Sequence, residues 1–303
     1  MAAHLQTLEL ALDVPASFAA AHGSPTPGEI TPSVGSGMPL GVGGVLETVE
    51  VAECIKFMAT LPNACVDAVI SDLPYGTTSC KWDAVIPFGP LWAALERVLA
   101  PKGVVILTAA QPFTSALVMS NPRLFKYCLV WKKSKCGSPL LAKYRPMMKH
   151  EDVVVFGTSK STYNPQMEVG KPYARSGVKV LTNNHGYGLK QVTTDNKGTR
   201  YPGSVLDFPQ QWRRQDQIHP TQKPIELMRY LVRTYTNPGD VVLDMCCGSG
   251  TTLVAAKIEG RQFIGCDSEE KYVTIARGRL ASEFFMGGGG GSETSHRHFE
   301  SGN

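Results

Sequence analysis

Val241-Val242-Leu243-Asp244-Met245-Cys246-Cys247-Gly248-Ser249-Gly250-Thr251-Thr252 is the stretch that decides the fold. Its first residues are continuously apolar, as in a strand buried on both faces. An acid closes the run, two glycines permit a tight turn, and residues 251–259 read as a helix. The next apolar run, Phe263-Ile264-Gly265-Cys266-Asp267, is another strand closed by an acid, and residues 268–283 read as its helix. Such a βαβ unit brings a helix N-terminus and both acids to one edge of a parallel sheet.

The same rhythm runs upstream. Asp67–Ser71 is a short strand that ends in a loop. Leu91, Leu95, Val98 and Leu99 share a helical face, and Pro101-Lys102-Gly103 stops that helix. Val104–Thr108, Tyr127–Trp131 and Asp152–Phe156 are further strands. Pro224 fits the first turn of a helix carrying Ile225, Met228, Leu231 and Val232, which Asn237-Pro238-Gly239 ends. The expected class is α/β, a Rossmann-like, mostly parallel central sheet with helices on both faces. Residues 158–218 break the rhythm and read as an inserted, loop-rich region. Residues 1–44 read as a flexible N-terminal tail, and 284–303, with a run of five glycines, as a disordered C-terminal one. That leaves two halves, 45–157 and 219–283.

Composition bounds the function. The chain has 303 residues, 43% hydrophobic and 18% charged, enough to bury a sizeable core and too apolar for a mostly disordered chain. No run reaches about 18 apolar residues and no secretory signal is visible, so the expectation is a cytoplasmic protein that does not enter membranes. None of the eight cysteines forms a C-x-x-C pair, which argues against a zinc ribbon and for reduced thiols. Charge is unevenly placed. Residues 1–50 hold five acids and no Lys or Arg, whereas 131–218 hold 15 basic and 6 acidic residues. Within the latter, 131–150 has six basic residues and no acid. That is the footprint of a polyanion partner, with an ordinary solvated face as the equal alternative.

Two strand ends carry chemistry. Asp72-Leu73-Pro74-Tyr75 offers a carboxylate, backbone carbonyls held by a proline, and an aromatic within four residues. Acceptors aimed at both N–H bonds of a heterocyclic amine would stabilise the positive charge that develops as its nitrogen attacks. A turn capped by Asp72 is the plain alternative. At the second strand end, Asp267 follows Asp244 by 23 residues, the spacing at which an acid binds ribose hydroxyls. The dinucleotide pattern G-x-G-x-x-G fails because position 253 is Leu, and no G-x-x-x-x-G-K-[ST] loop occurs. A ligand with adenosine but no pyrophosphate, such as S-adenosylmethionine, fits better than a nucleotide. A purely structural glycine turn is the alternative.

Together these residues resemble the S-adenosylmethionine-dependent amino-methyltransferases of DNA, over roughly 45–157 and 219–283. Asp72-Leu73-Pro74-Tyr75 is similar to the family's D-P-P-Y motif, with Leu73 replacing a proline. Residues 244–252 resemble its D-P-F-x-G-S-G-T loop, with Met245 and Cys246 replacing Pro and Phe. His219-Pro220-Thr221-Gln222-Lys223-Pro224 resembles its H-P-T-x-K-P segment, and 263–280 the strand, acid and helix that follow the cofactor loop. The catalytic motif precedes the cofactor motif, the circularly permuted order of the family's beta group, in which target recognition lies between the two. The likeness is to phage- and prophage-type adenine-N6 enzymes.

The resemblance implies base flipping followed by direct methyl transfer without a metal. Asp72 and the Leu73 carbonyl would accept from the amine, Pro74 would hold that loop, and Tyr75 would stack on the base. Asp244, Cys246, Gly248, Ser249, Gly250, Thr251 and Asp267 would bind the cofactor, with Thr221 and Lys223 beside its carboxylate. Lys132, Lys133, Lys135, Lys143, Arg145 and Lys149 would meet phosphates of double-stranded DNA, and Arg213 and Arg214 phosphates or bases. Trp82 and Trp131 read as core. Cytosine N4 is the nearest alternative substrate, followed by an RNA base, a protein glutamine, or an inactive DNA-binding protein. The family likeness leaves a homodimer and a partner endonuclease open.

Overall fold

The computed structural model describes residues 47–77, 83–137, 139–183, 186–210 and 222–282. Both tails, Trp82, Arg213, Arg214 and Thr221 lie outside the described residues. In chain order the elements are β1 (Glu47–Val51), α1 (Cys54–Thr60), β2 (Val66–Asp72), α2 (Phe88–Val98), β3 (Leu99–Ala109), α3 (Phe113–Ser120), β4 (Phe125–Gly137) and β5 (Met148–Gly157). There follow β6 (Glu168–Val169), β7 (Tyr173–Asn183), β8 (Gly186–Asn196), β9 (Thr199–Arg200), β10 (Val205–Asp207), α4 (Ile225–Tyr235), β11 (Val241–Asp244), α5 (Thr251–Ile258), β12 (Gln262–Asp267) and α6 (Glu270–Ala281).

Eight strands form one sheet in the order β1-β12-β11-β2-β3-β5-β4-β10. Every pairing is parallel except those of β5, which runs against β3 and β4. Both faces of the sheet are covered. Along β3, Val104 and Ile106 point to a core layer containing Leu227, Leu231, Leu253 and Val273. Their neighbours Val105 and Leu107 point to the other layer, with Leu91, Leu95, Phe113 and Leu117. This two-sided burial is why the strands read as unbroken apolar runs; each such side chain contributes about 1.5–3 kcal/mol. Trp131 is fully buried and donates from Nε1 to the Phe208 carbonyl at 2.9 Å, as a core residue should.

The interval 158–218 carries more regular structure than its composition suggests. β7 and β8 pair over eleven residues each, from Tyr173 opposite Asn196 to Asn183 opposite Gly186, as a two-stranded ribbon separate from the main sheet. Glycines at 177, 186 and 188 and mixed polar residues hide the period-two pattern. Pro224 caps α4 rather than entering its first turn. The parallel strands β2, β11 and β12 end at Asp72, Asp244 and Asp267, so all three acids lie at one edge of the sheet.

Candidate active site and cofactor cleft

The two strand ends meet directly. β2 and β11 are neighbours, and Ser71 Oγ donates to Asp244 Oδ1 at 2.7 Å. The Cys246 N–H reaches the same Ser71 Oγ at 3.2 Å. A cleft of about 220 Å³ runs between the crests, lined by Asp72, Leu73 and Pro74 on one side and Met245, Cys246, Gly248 and Asp267 on the other. Glu53, Ile86, Ser268 and Tyr272 also line it. The sequence pattern did not single out these last four. Glu53 could have been suspected, because an acid preceding an apolar turn can cap a helix; it accepts from the Ile55 and Lys56 N–H groups at the start of α1.

The loop between β11 and α5 divides its glycines between two tasks. Gly248 has φ +49°, and nothing lies within 4 Å of where a Cβ would stand. Its N–H donates to Asp267 Oδ2 at 2.9 Å, and Asp267 Oδ1 accepts from the Glu269 N–H at 2.9 Å. Gly250, at φ +77°, packs against α6, where a Cβ would approach the Ala276 Cβ to 2.7 Å. Gly250 therefore serves helix packing and does not line the cleft. Ser249 and Thr251 share a contact with Arg279, whose Nη1 donates to the Ser249 carbonyl at 2.6 Å and Thr251 Oγ1 at 3.1 Å. Both also line a smaller recess of about 50 Å³ with Asp244 and Lys223. Burial pushes the Asp244 carboxyl up to about 7, against the pull of its hydrogen bonds from Ser71, Thr252 and the Cys246 N–H. An adenosine-bearing ligand fits these residues: open backbone at Gly248, a carboxylate at the rim in Asp267, apolar walls, and a second carboxylate deep in Asp244.

On the β2 side of the cleft the Asp72 carboxylate is the hub. Oδ2 accepts from Lys223 Nζ at 2.6 Å. Oδ1 accepts from the Tyr75 hydroxyl at 2.6 Å and from Thr108 Oγ1. Burial alone would raise the Asp72 pKa, but the Lys223 charge and these hydrogen bonds outweigh it and hold it below the usual carboxylate value. Burial likewise opposes charge on Lys223, but Asp72, Tyr75 and Glu151 keep its ammonium protonated well above the usual range. The Tyr75 phenol is driven up by burial and by the adjacent Asp72 charge. Its ring stacks on Phe113 at 5.3 Å between centroids.

Lys223 thus sits on Asp72 and also lines the smaller recess with Gly248, Ser249 and Thr251. Its second partner is Glu151 on β5, with Nζ 3.2 Å from Oε2. The other Glu151 oxygen takes Lys133 Nζ at 2.8 Å. Lys133, expected on phosphate, is therefore largely buried in an ion pair, and Glu151 compensates two cations. Lys132 is exposed but paired with Asp207 at 2.6 Å. Lys135, Lys143, Arg145 and Lys149 are exposed.

The chain is similar to known DNA methyltransferases. A Type II methyltransferase, M1.MboII of Moraxella bovis, is 30% identical over 247 residues, covering 74% of this chain and 92% of that protein. M2.LlaDCHI of Lactococcus lactis subsp. cremoris is 37% identical over 256 residues, covering 76% and 87%. The DNA adenine methyltransferase YhdJ of Escherichia coli K12 is 26% identical over 255 residues, covering 80% and 85%. Among solved structures, the M1.HpyAVI–SAM complex shares the fold with TM-score 0.56 at 22% identity, over 78% of this chain and all of that one. The cytosine-N4-specific PvuII DNA methyltransferase does so with TM-score 0.57 at 14% identity, over 78% and 87%. The DNA methylase family profile matches residues 66–278, and the chain belongs to that family.

Proposed function

We propose that the protein transfers a methyl group from S-adenosylmethionine to N6 of an adenine flipped out of double-stranded DNA. The observation that carries this is the Ser71–Asp244 hydrogen bond, which sets the Asp72 carboxylate and the cofactor loop across one cleft. A carboxylate offers about four acceptor sites, and Tyr75, Thr108 and Lys223 use three. The fourth is open to an N–H of the amine, and the Leu73 carbonyl takes the other. Because Lys223 keeps Asp72 ionised, the carboxylate stabilises positive charge as it develops on the nitrogen and then accepts its proton. Asp267 and the Gly248 backbone hold the ribose side of the cofactor, and Asp244 and Cys246 its methionine side. When bound, S-adenosylmethionine supplies a methyl group on a sulfonium whose leaving group is a neutral thioether. The chain's own contribution is positioning and fixed charge.

The name of the Escherichia coli relative supports adenine. The PvuII likeness, at 14% identity, speaks only to fold. The insert with its β7–β8 ribbon is the target-recognition region in this reading, since a two-stranded ribbon fits the major groove. Among the described residues no helix is long and apolar enough to cross a membrane, and the working site is the cytoplasm of a prokaryotic or phage-infected cell. A homodimer and a cognate endonuclease are the further partners of this reading. The test is digestion of mixed-sequence DNA after incubation with a labelled methyl donor. Label in N6-methyl-2′-deoxyadenosine is expected; label in N4-methyl-2′-deoxycytidine, or none in any nucleoside, overturns the assignment.

A further inference from the structure

β4 and β5 do not stop at the catalytic edge. Thr108 pairs with Asp72 on one side and Val153 on the other, which fixes the level of the active site in β5. From there the two strands run on together, Trp131 opposite Glu151, Lys132 opposite His150 and Gly137 opposite Met148. On β5 the five residues from Val153 back to Met148 carry the ribbon about 17 Å past the level of Asp72, with a bulge in β4 between Lys132 and Gly137. The loop 139–147 at its tip therefore projects on the side of the sheet where the cleft opens.

That tip is unusually apolar for a solvent-facing loop. Leu140 is 90% exposed, Tyr144 85% and Met147 44%. Lys143, Arg145 and Lys149 are exposed around them, and no acid occurs between 131 and 150. An apolar patch left in water marks a contact surface. Cations around an apolar tip match a duplex, whose phosphates surround a stacked interior. A contact between two copies centred on this loop would instead bring like charges together.

We propose that Leu140 and Tyr144 form a wedge that enters the duplex at the target base pair and fills the space vacated by the extruded base. Lys143, Arg145 and Lys149 meet the flanking phosphates. The inference rests on the base-flipping reading above and adds the element that makes extrusion favourable.

The test uses a duplex carrying the site that the wild-type protein methylates in plasmid DNA. A second duplex is identical but has an abasic position opposite the target adenine. Losing a base–aromatic contact predicts that Tyr144→Ala loses about tenfold or more in kcat/KM on the intact duplex. On the abasic duplex, where the target is already unpaired, it stays close to wild type. Tyr144→Phe restores most activity on the intact duplex. The salt dependence of binding is unchanged in Tyr144→Ala but flatter in Lys143→Ala and Arg145→Ala, which lose phosphate contacts. Equal losses on both duplexes, or no loss on either, overturn the wedge. So does a wild-type dimer in sedimentation that Tyr144→Ala dissociates. Wild-type protein that methylates no DNA overturns the assigned activity itself, a result separable from failure of the wedge.

Discussion

Lys223 Nζ lies 2.6 Å from Asp72 Oδ2 in a largely buried ion pair between residues 151 positions apart. The pair brings the segment before α4 onto the end of β2. Glu151, on the reversed strand β5, holds the same ammonium from the other side. A cation locked between two carboxylates keeps Asp72 ionised and fixes the orientation of that carboxylate, which faces the cleft.

The pH profile follows from that pair. Asp72 is held below its ordinary value, so its contribution to stability and turnover is present above the ordinary Asp range and is lost as pH falls through the lowered value. Lys223→Met removes the cation and leaves burial opposed only by the hydrogen bonds from Tyr75 and Thr108. The acid limb of kcat/KM is expected to move to higher pH, with a loss of about 3 kcal/mol in stability from the unpaired buried charge. Glu151→Gln keeps the cation and removes a neighbouring negative charge, so it should shift the limb the opposite way, to lower pH, by a smaller amount. Rate profiles on the three proteins check this; superimposable acid limbs would show that Lys223 does not set the Asp72 ionisation.

Asp244 behaves oppositely. Its carboxyl, raised to about 7 by burial, holds its proton more tightly folded than unfolded. Its favourable contribution is complete below the ordinary Asp value and is lost as pH climbs through about 7. Asp244→Asn mimics the protonated form and should grow more stable than wild type as pH rises toward neutrality, by at most a few kcal/mol, then keep a constant margin. Urea unfolding across pH 4–8 measures the difference. A margin independent of pH would mean that Asp244 is ionised throughout.

The two loop glycines should fail in different ways. Gly250→Ala drives a methyl against Ala276 at a positive φ, so it is expected to lower thermal stability. Gly248→Ala meets no protein atom and pays only the left-handed backbone cost of about 1–2 kcal/mol. Its larger effect should be weaker S-adenosylmethionine binding, because its methyl enters the cleft. Calorimetry of both variants separates the two; equal cofactor affinity in Gly248→Ala and wild type would place the cofactor elsewhere.

Much of this was legible in the chain itself, for physical reasons. Val241–Thr252 and Phe263–Asp267 carry local signals, apolar strands closed by acids and glycine turns, and they fall where expected. Asp72 was legible because it ends a buried strand. β1 was not, since Glu47 and Glu50 interrupt an edge strand. α1 starts on Glu53 without the usual Ser, Thr, Asp or Asn cap, and the β7–β8 ribbon alternates too weakly to stand out. The partners of Lys223 and Lys133 were hidden for a different reason. Glu151 is close to both only because β4 and β5 are antiparallel neighbours and α4 packs over the sheet, and such contacts leave no trace in local spacing.

The central claim is that Asp72 grips the reacting amine while the neighbouring loop holds the methyl donor. Its most direct test is Asp72→Ala, with turnover on DNA and S-adenosylmethionine affinity measured on one preparation. Affinity within a few-fold of wild type and turnover lower by about 10²–10³-fold are expected for loss of a positioned charge at the reacting atom. Near-normal turnover would contradict the assignment of Asp72, and joint loss of affinity and turnover would show that it only supports the cleft.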